Sequence, residues 1–127
     1  MIRKGTAKLA PVVAMVAASA PILGHHSFAM FEMGRVIALQ GTVKEIQWTN
    51  PHCFLQVLVS GPVRMVEWSI EMHSPSVSRR MHWNQETLRP GDQVTVEFHP
   101  ARAGAPGGFL ISATGPDGKK HSYGSAP

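Results

Sequence analysis

The chain has 127 residues, which is enough for one domain and too few for two. Its formal net charge is +4, but Arg3, Lys4 and Lys8 supply three of the twelve basic residues. Without them, nine basic residues face eight acidic ones. The remainder is therefore close to neutral, and its charge gives no reason to expect nucleic acid or an anionic membrane as a partner.

The first 24 residues are predicted to form a signal peptide. The basic start is followed by an apolar run from Leu9 to Leu23, which is shorter than the about 20 residues that a membrane span needs. Cleavage after Ala20 would place Pro21 beside the cut bond, where proline is poorly accepted. We favour cleavage after Gly24, which makes His25 the first residue. The pattern predicts a periplasmic or secreted protein with no stable membrane insertion after processing.

Residues 25–120 are predicted to form a single β-rich domain, followed by a frayed tail over 121–127. Alternating apolar residues mark the strands, and the first strand shifts its alternation near Gly41, which indicates a bulge or bend. Ser74 followed by Pro75 is typical of a helix start. The predicted elements in chain order are strands over 35–48, 53–59 and 65–71, a short helix over 74–81, and strands over 94–99 and 109–113.

This order of three strands, a short helix and two further strands predicts an all-β fold with one helix. A long, bent first strand and a helix between the third and fourth strands match the five-stranded OB-like barrel. A small β-sandwich is the alternative. Cys53 is the only cysteine, so no disulfide within the chain can stabilise either architecture.

Histidines are the main candidates for chemistry, because all seven lie after the predicted leader. If His25 is the first residue, its amine and its ring can chelate one cation, and His26 or His52 can supply a third nitrogen. Nitrogen ligands in a planar arrangement favour Cu(II), so we predict binding of copper or another divalent metal. The competing interpretation is an exposed, unstructured terminus, since no closely spaced ligand motif accompanies these residues.

The segment from Trp48 to His52 predicts a turn between the first two strands, because Asn50 precedes a proline. Together with Trp83, its side chains can line a binding cleft. The alternative function is therefore a metal-free accessory module that binds a partner protein or small ligand through Trp48, Asn50, His52 and Trp83. No nucleophile elbow, phosphate-binding glycine loop or haem attachment motif is present, so the sequence gives no support for an enzyme and no catalytic residue.

Several motifs together carry a family resemblance. They are His25-His26-Ser27-Phe28 after the leader, Gly41-Thr42-Val43, Trp48-Thr49-Asn50-Pro51-His52, Ser74-Pro75 and Leu88-Arg89-Pro90-Gly91-Asp92. With these motifs the chain resembles a bacterial family of small exported proteins known as a domain of unknown function. The resemblance implies export and one small β domain, and it implies no activity and no functional residues.

Overall fold

The computed structural model describes residues 28–124, and this range is nearly all β-strand with one short helix. The elements are a 3-10 turn at Phe28–Met30, strands β1 (Ile37–Gln47), β2 (Phe54–Ser60) and β3 (Met65–Glu71), helix α1 (Pro75–Arg80), and strands β4 (Gln93–Pro100), β5 (Gly107–Thr114) and β6 (Lys120–Ser122). Between residues 28 and 124, no helix is long and apolar enough to cross a bilayer. The predicted leader, His25 and His26 lie outside the described residues.

Five strands close into a barrel. β1 pairs with β2 and β4, β2 with β3, and β4 with β5, all antiparallel. A parallel pairing between Ser69–Glu71 of β3 and Gly107–Phe109 of β5 closes the ring. The order around the barrel is β1-β2-β3-β5-β4, with α1 between β3 and β4, which is the OB-like arrangement. The predicted barrel is confirmed, and the sandwich alternative is not adopted.

The predicted bend in the first strand is present. The register of β1 against β2 shifts between Val43 and Glu45, which is a β-bulge. Close by, a Cβ on Gly41 would lie only 2.5 Å from the carbonyl oxygen of Leu58. Glycine therefore allows β1 to approach β2 closely at the point where the barrel wall curves.

The helix and the core also follow the sequence pattern. The Ser74 hydroxyl accepts a hydrogen bond from the Val77 N–H at 3.4 Å, Pro75 starts α1, and Met81 ends it. Inward-facing residues of all five barrel strands form one apolar core. Its largest fully buried side chains are Trp83, Tyr123, Phe98, Leu55, Ile70, Met72, Leu88 and Leu110.

The end of the domain differs from the prediction. The sequence predicts a frayed tail from residue 121, but residues 120–122 form β6, which pairs with β5 outside the barrel ring. The next residue, Tyr123, is 1% exposed and belongs to the core. A single aromatic between serine and glycine carries no strand periodicity, so the sequence pattern did not mark it. Residues 125–127 lie outside the described range.

Candidate functional site

Two histidines come to one end of the barrel, where the chain leaves β3 and enters α1. The pairing of β2 and β3 continues past both strands, because the Cys53 N–H donates to the His73 carbonyl and the Met72 N–H donates to the Cys53 carbonyl, each at 2.9 Å. These two bonds place His52 and His73 beside the same end of the sheet. We refer to this region as the histidine end of the barrel.

His52 is held in one orientation by two acceptors. Its Nδ1 lies 3.1 Å from the Met72 carbonyl oxygen and 3.2 Å from the Glu71 Oε1. Both oxygens accept hydrogen bonds, so in the neutral ring Nδ1 carries the proton and donates it. The lone pair of the neutral imidazole is then on Nε2. The side chains of His52 and Glu71 are only 18% and 17% exposed, which shields this contact from solvent.

His73 lies within an aromatic group at the same strand end. Its ring centroid is 4.9 Å from that of Phe109, 5.7 Å from that of Tyr123 and 6.4 Å from that of Phe28. Burial lowers the pKa of His73, and the nearby charge of His52 lowers it further. The environment of His73 therefore favours the neutral form of its ring.

A closed set of hydrogen bonds fixes the backbone beside His73. The His73 N–H donates to the Tyr123 hydroxyl at 2.6 Å, and the Tyr123 and Ser78 hydroxyls are 2.8 Å apart. Ser78 in turn donates to the His73 carbonyl at 3.4 Å. Burial raises the pKa of Tyr123, so its hydroxyl keeps its proton and serves as both donor and acceptor. The tyrosine thus joins the C-terminal segment to the histidine end.

Cys53 lies next to His52 in sequence but points into the core. Its side chain is fully buried, and burial raises the pKa of its thiol. A protonated, buried thiol is neither a good metal ligand nor a nucleophile. Cys53 therefore contributes packing, as the alternation of β2 indicates.

The four residues predicted to bind a partner or ligand are divided between the surface and the core. Trp48 is half-buried, with the guanidinium carbon of Arg79 5.6 Å from its ring centroid, and Asn50 is exposed at the turn. Trp83, by contrast, is 2% exposed, and its indole N–H donates to the Ser122 carbonyl at 3.0 Å. The structure therefore brings Trp48, Asn50 and His52 together as a surface turn and places Trp83 in the core.

Within residues 28–124, no group of three or more His, Cys, Asp or Glu side chains is arranged to hold a metal ion. Of the predicted ligands, only His52 is in this range. His73, Ser78 and Tyr123 were not predicted as site residues. The position of His73 directly before the Ser74-Pro75 helix start was the available sequence signal, because that junction lies at the end of a barrel strand.

No curated protein and no solved structure matches this sequence. A family model does match, over residues 12–111, and it includes the Trp48–His52 turn and both histidines of the barrel end. This agrees with the resemblance seen in the sequence motifs. The chain belongs to DUF6152, a family of unknown function.

Proposed function

We propose that this protein is an exported metal-binding protein that takes up Cu(II) through His25, His26 and His52. The orientation of His52 carries the proposal. Histidines that bind metals almost always donate their second ring N–H to a carboxylate or a backbone carbonyl, which fixes the ring and increases the basicity of the ligating nitrogen. His52 has both kinds of partner, the Glu71 carboxylate and the Met72 carbonyl.

The other proposed ligands, His25 and His26, are close in sequence to a residue at the histidine end. The Phe28 ring packs edge-on against the rings of His73 and Phe109, so residue 28 lies at the histidine end. His25 and His26 precede Phe28 by only three and two positions in the sequence. We therefore propose them as the ligands that accompany His52.

The ligand chemistry favours copper. A free His25 amine, its own imidazole and the His52 Nε2 would supply three nitrogens, and His26 is a further donor. Nitrogen ligands in a planar arrangement suit Cu(II), which also has the highest affinity in the divalent series. Imidazoles bind metal only when neutral, so affinity falls as the pH is lowered.

The test uses protein that is expressed with its own leader in a bacterial host, which exports and processes it. Intact mass gives the mature N-terminus, and native mass spectrometry with titration calorimetry gives the stoichiometry and affinity for Cu(II). We expect a chain that starts at His25 and binds one copper. We expect His52→Ala to weaken binding by more than about a hundredfold, and Glu71→Gln by about tenfold or more, since partners that orient a ligand contribute on this scale.

Two controls separate this site from general histidine affinity. His82 is an exposed histidine at a backbone φ of 64°, so His82→Asn removes one imidazole at a position that asparagine tolerates, and it should bind copper normally. One alanine added before His25 moves the free amine away from the ring and should weaken binding. A mature chain that starts elsewhere, or equal affinity in His52→Ala and His82→Asn, would contradict the proposal.

The second candidate function is a metal-free module that binds a partner through the Trp48–His52 turn. It is favoured by the exposure of Thr49, Asn50 and Pro51, three consecutive residues at a tip beside the ring of Trp48. In that case Trp48→Ala should abolish binding of a partner from an extract of the protein's own host, and deletion of His25 and His26 should leave it intact. The opposite pattern would support the metal site.

A further inference from the structure

A cleft with two chemically different ends lies beside the histidine end, between α1, β5 and β6. One part is a cavity of about 520 Å³ and the other a cavity of about 680 Å³. The two share four lining residues, Met81, Ile111, Tyr123 and Gly124, and so adjoin each other. We call the pair the Met81 cleft. Each part is within the size range of small-molecule sites, roughly 300–1,000 Å³.

The first part of the Met81 cleft is apolar and aromatic. Phe28, Met33 and Phe109 line it. The imidazoles of His73 and His99 also line it, and neither carries a negative charge. Phe28 and Met33 are 47% and 40% exposed, so this end presents apolar surface to solvent. Burying such surface against a ligand chain is favourable, and flexible methionine side chains adapt to irregular apolar groups.

The second part is cationic. Arg80 lies in the last turn of α1, Lys120 begins β6, and both line this cavity together with His82. The Lys120 Nζ lies 2.9 Å from the Glu97 Oε2, but the Glu97 side chain does not line the cavity. Among the described residues, no aspartate or glutamate lines either part of the cleft. The charge at this end is therefore complementary to an anion.

We propose that the Met81 cleft binds a small amphipathic anion, a carboxylate attached to an apolar chain. The carboxylate pairs with the Arg80 guanidinium, and the chain crosses Met81 to pack against Phe109 and Phe28. Arginine suits this role because its planar donors match the geometry of a carboxylate. The site is distinct from the proposed copper ligands, since neither His52 nor Glu71 lines the cleft.

The test compares three probes of equal chain length with the mature protein, by calorimetry in the presence of a metal chelator. Decanoate carries a negative charge, decan-1-ol none, and decylamine a positive charge. We expect decanoate to bind with one site per chain, decan-1-ol about fivefold more weakly, and decylamine more weakly still. The modest factor reflects an ion pair that is partly exposed to solvent.

Two variants locate the site. Arg80→Gln should weaken decanoate binding by about fivefold and leave decan-1-ol unchanged. Met81→Glu places a carboxylate where the two cavities meet, and it should weaken decanoate more than decan-1-ol. Arg64→Gln removes an arginine that is also exposed, in the β2–β3 turn, and should have no effect. Circular dichroism confirms that each variant is folded.

The outcomes separate this proposal from the copper site. Decanoate binding that survives His52→Ala and falls in Arg80→Gln supports the cleft. No binding of decanoate, no preference for decanoate over decylamine, or an equal loss in Arg80→Gln and Arg64→Gln would overturn it. Failure of copper binding has no bearing on these results, because the chelator excludes metal from the measurement.

Discussion

Trp48 and Trp83, two of the three tryptophans, show how differently similar sequence features are used in this barrel. Trp48 follows β1 at a surface turn, half-buried beneath the Arg79 guanidinium. Trp83 follows α1 and is buried, with its ring 5.6 Å from Tyr123. Trp48 therefore lies at a surface turn, whereas Trp83 belongs to the buried layer that holds α1 and β6 on the barrel.

Replacing each indole by alanine gives the largest expected difference between the two regions. Trp83→Ala removes a fully buried ring and the hydrogen bond from its N–H to Ser122, and we expect it to lower the free energy of unfolding by about 3–5 kcal/mol. Trp48→Ala should cost about 1 kcal/mol, because its ring is partly exposed and its cation–π contact is at the surface. Urea unfolding of the purified variants measures both values.

The comparison also predicts which strand becomes less protected from hydrogen exchange. In Trp83→Ala we expect β6 to lose hydrogen-exchange protection before the barrel strands do, because Trp83 anchors Ser122. Equal stability losses in the two alanine variants would contradict the division into a surface turn and a structural layer.

Tyr123→Phe is expected to have the next largest effect. The substitution keeps the buried ring and removes the hydroxyl that accepts from the His73 N–H and bonds to Ser78. The His73 N–H is partly buried and would lose its partner, so the free energy of unfolding should fall by about 1 kcal/mol, the lower end of the cost of an unsatisfied buried donor. Thermal and urea unfolding of the single variant give this value.

The Ser78→Ala variant supplies the control for that measurement. If the three groups act as one hydrogen-bonded set, the double variant Tyr123→Phe with Ser78→Ala should lose less stability than the sum of the single losses. If the stability loss of the double variant equals the sum of the two single losses, the hydroxyls of Tyr123 and Ser78 act independently.

The barrel was predictable from the sequence because it depends on local signals. Alternating residues in β2 to β4 marked the strands, and Ser74 with Pro75 marked the start of α1. The shift of alternation beside Gly41 marked the bulge that bends β1. Each of these signals lies within one element, and the order of the elements then selects the barrel.

The candidate site was only partly predictable, because its geometry depends on contacts between distant segments. Nothing near His52 in sequence indicates that Glu71, nineteen positions later, will orient its ring. In the same way, the bond between His73 and Tyr123 joins residues that are fifty positions apart. The type of a residue indicates its chemistry. Whether it is buried or exposed depends on how the closed barrel packs around it, as Trp48 and Trp83 show.

The smallest expected effect tests His73, which lies where the two regions meet. Burial lowers its pKa, so the folded protein disfavours protonation relative to the unfolded chain, whose histidines titrate near about 6.5. The unfolded state therefore binds more protons as the pH falls below that value, and stability present at pH 7 is lost on acidification.

We expect metal-free protein to unfold at lower urea concentration at pH 5.5 than at pH 7. His73→Phe keeps a ring among Phe28, Phe109 and Tyr123 but cannot titrate, so its stability should change less over this interval. An unchanged slope in His73→Phe would assign the acid sensitivity to another group and leave His73 as a packing residue alone.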